Sequence, residues 1–61
     1  MPNITTKELT ALEDQLNSEQ MLVKKYNSFA NMCTDAVLKT KCQQIAAKHQ
    51  EHYTKLLKYL G

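Results

Sequence analysis

Apolar residues recur along the chain at alternating steps of three and four, the spacing that places side chains on one face of an α-helix. One series runs from Leu9 to Cys33 and a second from Leu38 to Tyr59. The members are Leu9, Leu12, Leu16, Val23, Tyr26, Ala30 and Cys33 in the first series, and Leu38, Cys42, Ile45, Leu56 and Tyr59 in the second. No segment shows a β-hairpin signal. The pattern predicts an all-α chain of two helices.

The start of the first helix has a complete set of local signals. Thr5 and Glu8 have the spacing of a capping box, in which each side chain accepts a hydrogen bond from the other residue's backbone amide. Ile4 and Leu9 have the spacing of a hydrophobic staple. These signals predict helix 1 over about 6–33.

The second helix also has an N-terminal signal, because the Asp35 side chain can accept hydrogen bonds from the free amides of a helix that follows it. Gly61 is the expected C-terminal stop. We therefore predict helix 2 over about 36–60, within a single domain over 1–61. The short connection between the helices can only reverse the chain, so they are predicted to form an antiparallel hairpin.

Additional apolar residues beside the two series widen each apolar stripe. They are Leu22 and Phe29 on helix 1, and Ala46, Tyr53 and Leu60 on helix 2. A stripe this wide suits a four-helix bundle better than a two-stranded seam. A chain of 61 residues is also short for an independent core. The sequence therefore predicts a homodimer in which two hairpins form one four-helix bundle.

Three polar residues interrupt the apolar series. They are Glu19 on helix 1, and His49 and His52 on helix 2. With the turn centred between residues 35 and 36, Glu19 lies level with His52, and His49 lies one turn away, ~4.5 Å along the axis. Carboxylate and imidazole are ligands for iron, zinc or manganese, so we predict a buried transition-metal site in the bundle core. The alternative is a metal-free polar layer that fixes helix register.

The residue pattern also resembles a known family. Glu19 is followed by LVKKY at 22–26, then by Asp35, Leu38 and the stretch IAAKHQEHY at 45–53. This pattern is similar to that of the small spore-coat proteins of clostridia and bacilli, which are related to the coat protein F family, and the similarity extends from about residue 9 to residue 60. The resemblance implies a ferritin-like helical hairpin, a sporulation-associated structural role, other spore-coat proteins as partners and no established catalysis.

Ferritin-like bundles place a Glu on one helix and a Glu-x-x-His motif on the next. The resemblance implies that Glu19 is the first ligand and His52 the histidine, with His49 at the place of the second Glu. This departure removes negative charge that would stabilise ferric ions, so it argues against iron oxidation more than against metal binding. A metal-dependent redox enzyme or metal store remains one alternative, and a metal-free helical interaction module remains another.

Composition narrows the remaining functions. The formal net charge of +2 is spread along the chain without a basic block, so we expect no nucleic-acid partner. No apolar run is long enough for a membrane span. The N-terminus lacks the apolar segment of a signal peptide, so we expect an intracellular protein. Cys33 and Cys42 are expected to be reduced thiols in a narrow core layer, with a disulfide as the alternative. No catalytic set is visible outside the predicted metal layer.

Overall fold

A computed structural model describes residues 4–60 of the chain. It contains two α-helices, α1 (Thr6–Met32) and α2 (Ala36–Leu57). The connection over 33–35 reverses the chain, and the helices pack antiparallel as a hairpin with principal extents of 47 × 15 × 11 Å. Within residues 4–60 there is no β-strand. The prediction of an all-α helical hairpin is confirmed.

Both helices begin with the caps that the sequence predicts. The Glu8 amide donates to Thr5 Oγ1 at 3.1 Å, and the Thr5 amide donates to Glu8 Oε1 at 2.9 Å, which completes the capping box. At the second helix the Leu38 amide donates to Asp35 Oδ1 at 2.8 Å. These bonds satisfy backbone amides that have no partner within the first turn of a helix.

The helices end earlier than predicted. α1 stops at Met32, because Cys33 adopts an extended backbone with φ −74° and ψ 132°. α2 stops at Leu57, three residues before the predicted end at residue 60. Residues 58–60 continue as turns whose amides donate to carbonyls three residues earlier, at 3.0 to 3.3 Å. Such i→i+3 bonds commonly tighten the last turn of a helix. The predicted stop at Gly61 lies outside the described residues.

Five residues are buried between the two helices, and three of them have small side chains. The buried residues are Leu16, Glu19, Ala30, Cys42 and Ala46. The first predicted series is buried or half-buried throughout, but three members of the second series, Leu38 and Ile45 on α2 and Tyr59 in the turns after it, are 39 to 57% exposed. These three are not covered by α1, because α2 turns the side carrying Cys42 and Ala46 toward α1.

Cys33 and Cys42 lie at the turn end of the hairpin, one half-buried and the other buried, and both are free thiols. Burial is the main reason that the pKa of the Cys33 thiol is raised, and the neighbouring Cys42 thiol adds to the effect. In the part of the chain that the structure describes, neither helix is apolar enough over a sufficient length to cross a bilayer.

Candidate metal centre

Glu19 lies halfway along α1 and is only 6% exposed. Among residues 4–60 it is the one charged side chain that is buried. Removing a carboxylate from water is costly unless other groups bind it. The residues that contact Glu19 therefore determine whether its buried carboxylate can remain charged.

Both histidines of the chain contact this carboxylate. Nδ1 of His49 lies 2.8 Å from Oε2 of Glu19, and Nδ1 of His52 lies 3.4 Å from Oε1. Gln15, one turn earlier on α1, donates from Nε2 to the same Oε1 at 3.4 Å. An ionised carboxylate can only accept, so the imidazole N–H of His49 is the donor in the short bond. Each carboxylate oxygen thus faces a different histidine.

Aromatic contacts fix the orientation of the imidazoles. The Tyr26 ring is stacked on His49, with centroids 6.1 Å apart and planes inclined by 16°. The two imidazoles meet edge to face, with centroids 5.6 Å apart. A further cross-helix contact, from Gln20 Nε2 to Tyr53 Oη at 3.1 Å, lies close to this layer. All of these residues lie on α1 or α2, so two helices rather than a loop position the cluster.

The cluster is only partly enclosed in the single chain. The His49 side chain is 23% exposed and the His52 side chain 50% exposed, against 8% for that of Glu19. The predicted burial concerns the core of a dimeric bundle, and in the single chain His52 is half exposed. Two helices cover only the strip between them, and His52 lies at the edge of that strip, on the side of α2 where Leu38 and Ile45 are exposed.

The charge state of Glu19 suits a ligand. The hydrogen bond from His49 is the main reason that the pKa of Glu19 lies below its ordinary value of 4.5, and this effect outweighs burial, which raises the pKa. The nearby charges of His49 and His52 and the bond from Gln15 lower it further. Glu19 is therefore ionised at neutral pH, as metal coordination requires.

The three residues can supply ligands to one ion. One ligand atom from each of Glu19, His49 and His52 lies within 4.8 Å of the others. Ligand atoms at ~2.1 Å from a tetrahedral ion are about 3.4 Å apart, so small side-chain rotations suffice. A bound ion would take the place of the proton in the hydrogen bond from His49 to Glu19. Three protein ligands leave at least one coordination position for water or another ligand.

Sequence reasoning placed Glu19 opposite the two histidines, and the structure brings all three together. It did not identify Gln15 or the stacking of Tyr26 on His49. The signal for Gln15 was its position four residues before Glu19, which puts both side chains on one helix face. Tyr26 could not be distinguished from a core ring, since its stacking partner is on the other helix.

Fold and site together define a class: a small helical hairpin protein with a candidate Glu/His/His metal centre. The chain is 35% identical over 57 residues to the "Uncharacterized protein YuzM" of Bacillus subtilis (strain 168), a match that covers 93% of this chain and 70% of the relative. The chain belongs to the same family as YuzM. No family model matches the chain, and no solved structure gives a significant match.

Proposed function

We propose that this protein is a small homodimeric structural protein that binds a transition-metal ion through Glu19, His49 and His52. The observation that carries the proposal is the buried Glu19 carboxylate, which contacts both histidines. Iron, zinc and manganese are the candidate ions, because a donor set of two imidazoles and one carboxylate suits each of them.

The two carboxylate oxygens differ in a way that favours metal binding over a metal-free polar layer. Oε2 accepts a short bond of 2.8 Å from His49. Among residues 4–60, Oε1 has two polar contacts, both at 3.4 Å, beyond the usual range of ~2.7–3.2 Å. The protein alone therefore binds Oε1 more weakly than Oε2. A cation beside Oε1 would compensate for the water that burial removes.

A metal-free interaction module is the second candidate, and the short bond between His49 and Glu19 favours it. In that role the pair would fix the register of the helices, as buried polar residues do in some coiled coils. A redox enzyme or metal store is the third candidate. The cluster holds a single carboxylate, which provides little negative charge for ferric ions. We therefore place simple metal binding ahead of iron oxidation.

The surface area of the hairpin supports the homodimer. The chain exposes 4781 Å², whereas a compact monomer of its 7.0 kDa mass exposes about 4,000 Å². The excess of about 800 Å² matches the ~800 Å² that each partner buries in a standard interface. Two hairpins packed on one another would form the ferritin-like four-helix bundle that the width of the apolar stripes favours.

The proposed cellular role is that of a spore-coat protein, with other coat proteins as partners. Two observations support it. The residue pattern resembles that of small spore-coat proteins of clostridia and bacilli, and the relative YuzM comes from a Bacillus. A fluorescent fusion expressed in a sporulating bacillus should colocalise with the coat of mature spores. A signal that remains in the mother-cell cytoplasm would contradict this role.

Metal binding is tested with protein purified without a histidine tag. After incubation with zinc and removal of free ions, we expect elemental analysis to find zinc retained by the wild type and lost from Glu19→Gln. The matched control is Glu51→Gln on α2, because Glu51 is exposed and pairs with Lys48 and Lys55 rather than with the cluster.

Two results of this experiment would contradict the metal proposal: a wild type that retains no zinc, or equal losses from Glu19→Gln and Glu51→Gln. Oxygen consumption by iron-loaded protein then separates the candidates that bind metal. A simple metal-binding protein consumes no more oxygen than free iron, while a redox enzyme consumes it faster.

A further inference from the structure

One side of α2 carries a line of exposed residues at intervals of seven. Its members are Leu38, Ile45 and His52 on α2, and the line continues to Tyr59 in the turns that follow the helix. The three apolar members are 39 to 57% exposed, and the His52 side chain is 50% exposed. Residues seven apart stay on one side of a helix, with a drift of only ~20° per interval. His52, a candidate metal ligand, thus lies in line with three apolar residues that α1 leaves partly exposed.

A second line on α1 belongs to the same face of the hairpin. Gln15, Leu22 and Phe29 are also seven apart, and Phe29 is among the exposed apolar residues. Gln15 and His52 contact the same oxygen, Oε1 of Glu19, so the two lines flank the cluster from one side. We call this surface, formed by the lines 15–22–29 and 38–45–52–59, the site face.

We propose that the site face binds a second copy of this chain, so that the metal centre lies at the dimer interface and metal binding and dimerisation stabilise each other. This inference rests on the proposed metal site. A second copy fits because it would present the same two apolar lines, and an isologous contact is self-complementary by symmetry. The excess exposed area described above is enough for one such interface.

The position of the cluster makes it meet its own copy. Glu19 is the midpoint of α1 (Thr6–Met32). A two-fold axis across the hairpin at mid-height brings the two clusters together, and an axis along the hairpin does so at any height. In either arrangement the exposed edge of His52 faces the partner, and the partner can complete a coordination shell that one chain leaves open.

Charge explains why the two events would be coupled. A dimer without metal covers two ionised Glu19 carboxylates in one layer, and like charges in a covered site repel. A divalent cation offsets both. By linkage, an ion that binds the dimer more tightly than the monomer shifts the equilibrium toward the dimer.

The test is sedimentation of tag-free, full-length protein over a range of concentrations, in zinc and in a chelator. We expect zinc to lower the dimer dissociation constant by at least about tenfold. Ile45→Lys places a charge in the site face at a residue that is already 39% exposed, so the hairpin should still form. We expect this variant to be monomeric and to bind zinc at least about tenfold more weakly. The matched control, Met21→Lys, places the same charge at a 70% exposed residue elsewhere on α1 and should change neither quantity.

Each outcome separates the inference from the proposed function. Full zinc affinity in monomeric Ile45→Lys would overturn the inference and leave the metal site intact. A wild-type dimer that is equally stable in zinc and in chelator would overturn the coupling. Dimer loss in Met21→Lys with retention in Ile45→Lys would place the interface elsewhere. No zinc binding by the wild type would overturn both. Circular dichroism of each variant verifies that the helices are formed.

Discussion

Replacing Glu19 and His49 by alanine, singly and together, measures how strongly these residues stabilise the metal-free hairpin. Their contact is a 2.8 Å bond to a carboxylate that is 8% exposed in its side chain. Hydrogen bonds to charged groups contribute about 1.5–3 kcal/mol. The 23% exposure of the His49 side chain admits water and weakens the pair, so we expect a coupling free energy of about 1–2 kcal/mol.

The assay is urea unfolding followed by circular dichroism, in a chelator and at one protein concentration, for the wild type, both single variants and the double variant. The control cycle uses Lys48 and Glu51, an exposed pair on α2 at 3.7 Å, for which we expect a smaller coupling free energy because water screens exposed charges. If the Glu19–His49 coupling is no larger than that of the control pair, His49 does not stabilise the buried carboxylate, and some other group must offset its burial.

Three further predictions concern the rest of the hairpin. Folding lowers the pKa of Glu19 below its ordinary value of 4.5. The stability that its carboxylate contributes is therefore complete above pH 4.5 and is lost as the pH falls through the lower folded-state pKa. In acid titrations without metal, Glu19→Gln should lose less stability than the wild type. Thr5→Ala and Asp35→Ala each remove a helix cap. Each should lower the free energy of unfolding by about 1 kcal/mol, as measured by urea unfolding. A change below a tenth of that would mean that water replaces the cap. The raised pKa of the Cys33 thiol predicts slower alkylation by iodoacetamide at pH 8 in the folded protein than in urea, and equal rates would contradict it.

Local and periodic features of this fold could be predicted from the sequence. The capping box at Thr5 and Glu8 depends on residues three apart, and the structure contains it. The helix spacing predicted the two elements because one period governs each series. Residues 58–60 were assigned to α2 in error, since no residue there distinguishes an α-helical turn from the tighter i→i+3 turns that the structure shows.

The sequence predicts which residues form the candidate site but not how exposed each of them is. A short turn fixes the relative level of two helices, which was enough to place Glu19 opposite His49 and His52. It does not fix the rotation of α2 about its own axis. That rotation buries Cys42 and Ala46, and it leaves Ile45 and His52 at the edge. It depends on how the side chains of both helices pack against each other, a tertiary property that periodicity does not encode.

The stacking of Tyr26 on His49 gives the protein an intrinsic optical probe. The chain has no tryptophan and three tyrosines, so its ultraviolet fluorescence is tyrosine emission alone. One of these fluorophores lies with its centroid 6.1 Å from the centroid of a candidate ligand ring. Occupancy of the centre by an open-shell ion such as ferrous iron or manganese would therefore quench that emission, and titrations could be followed without a label.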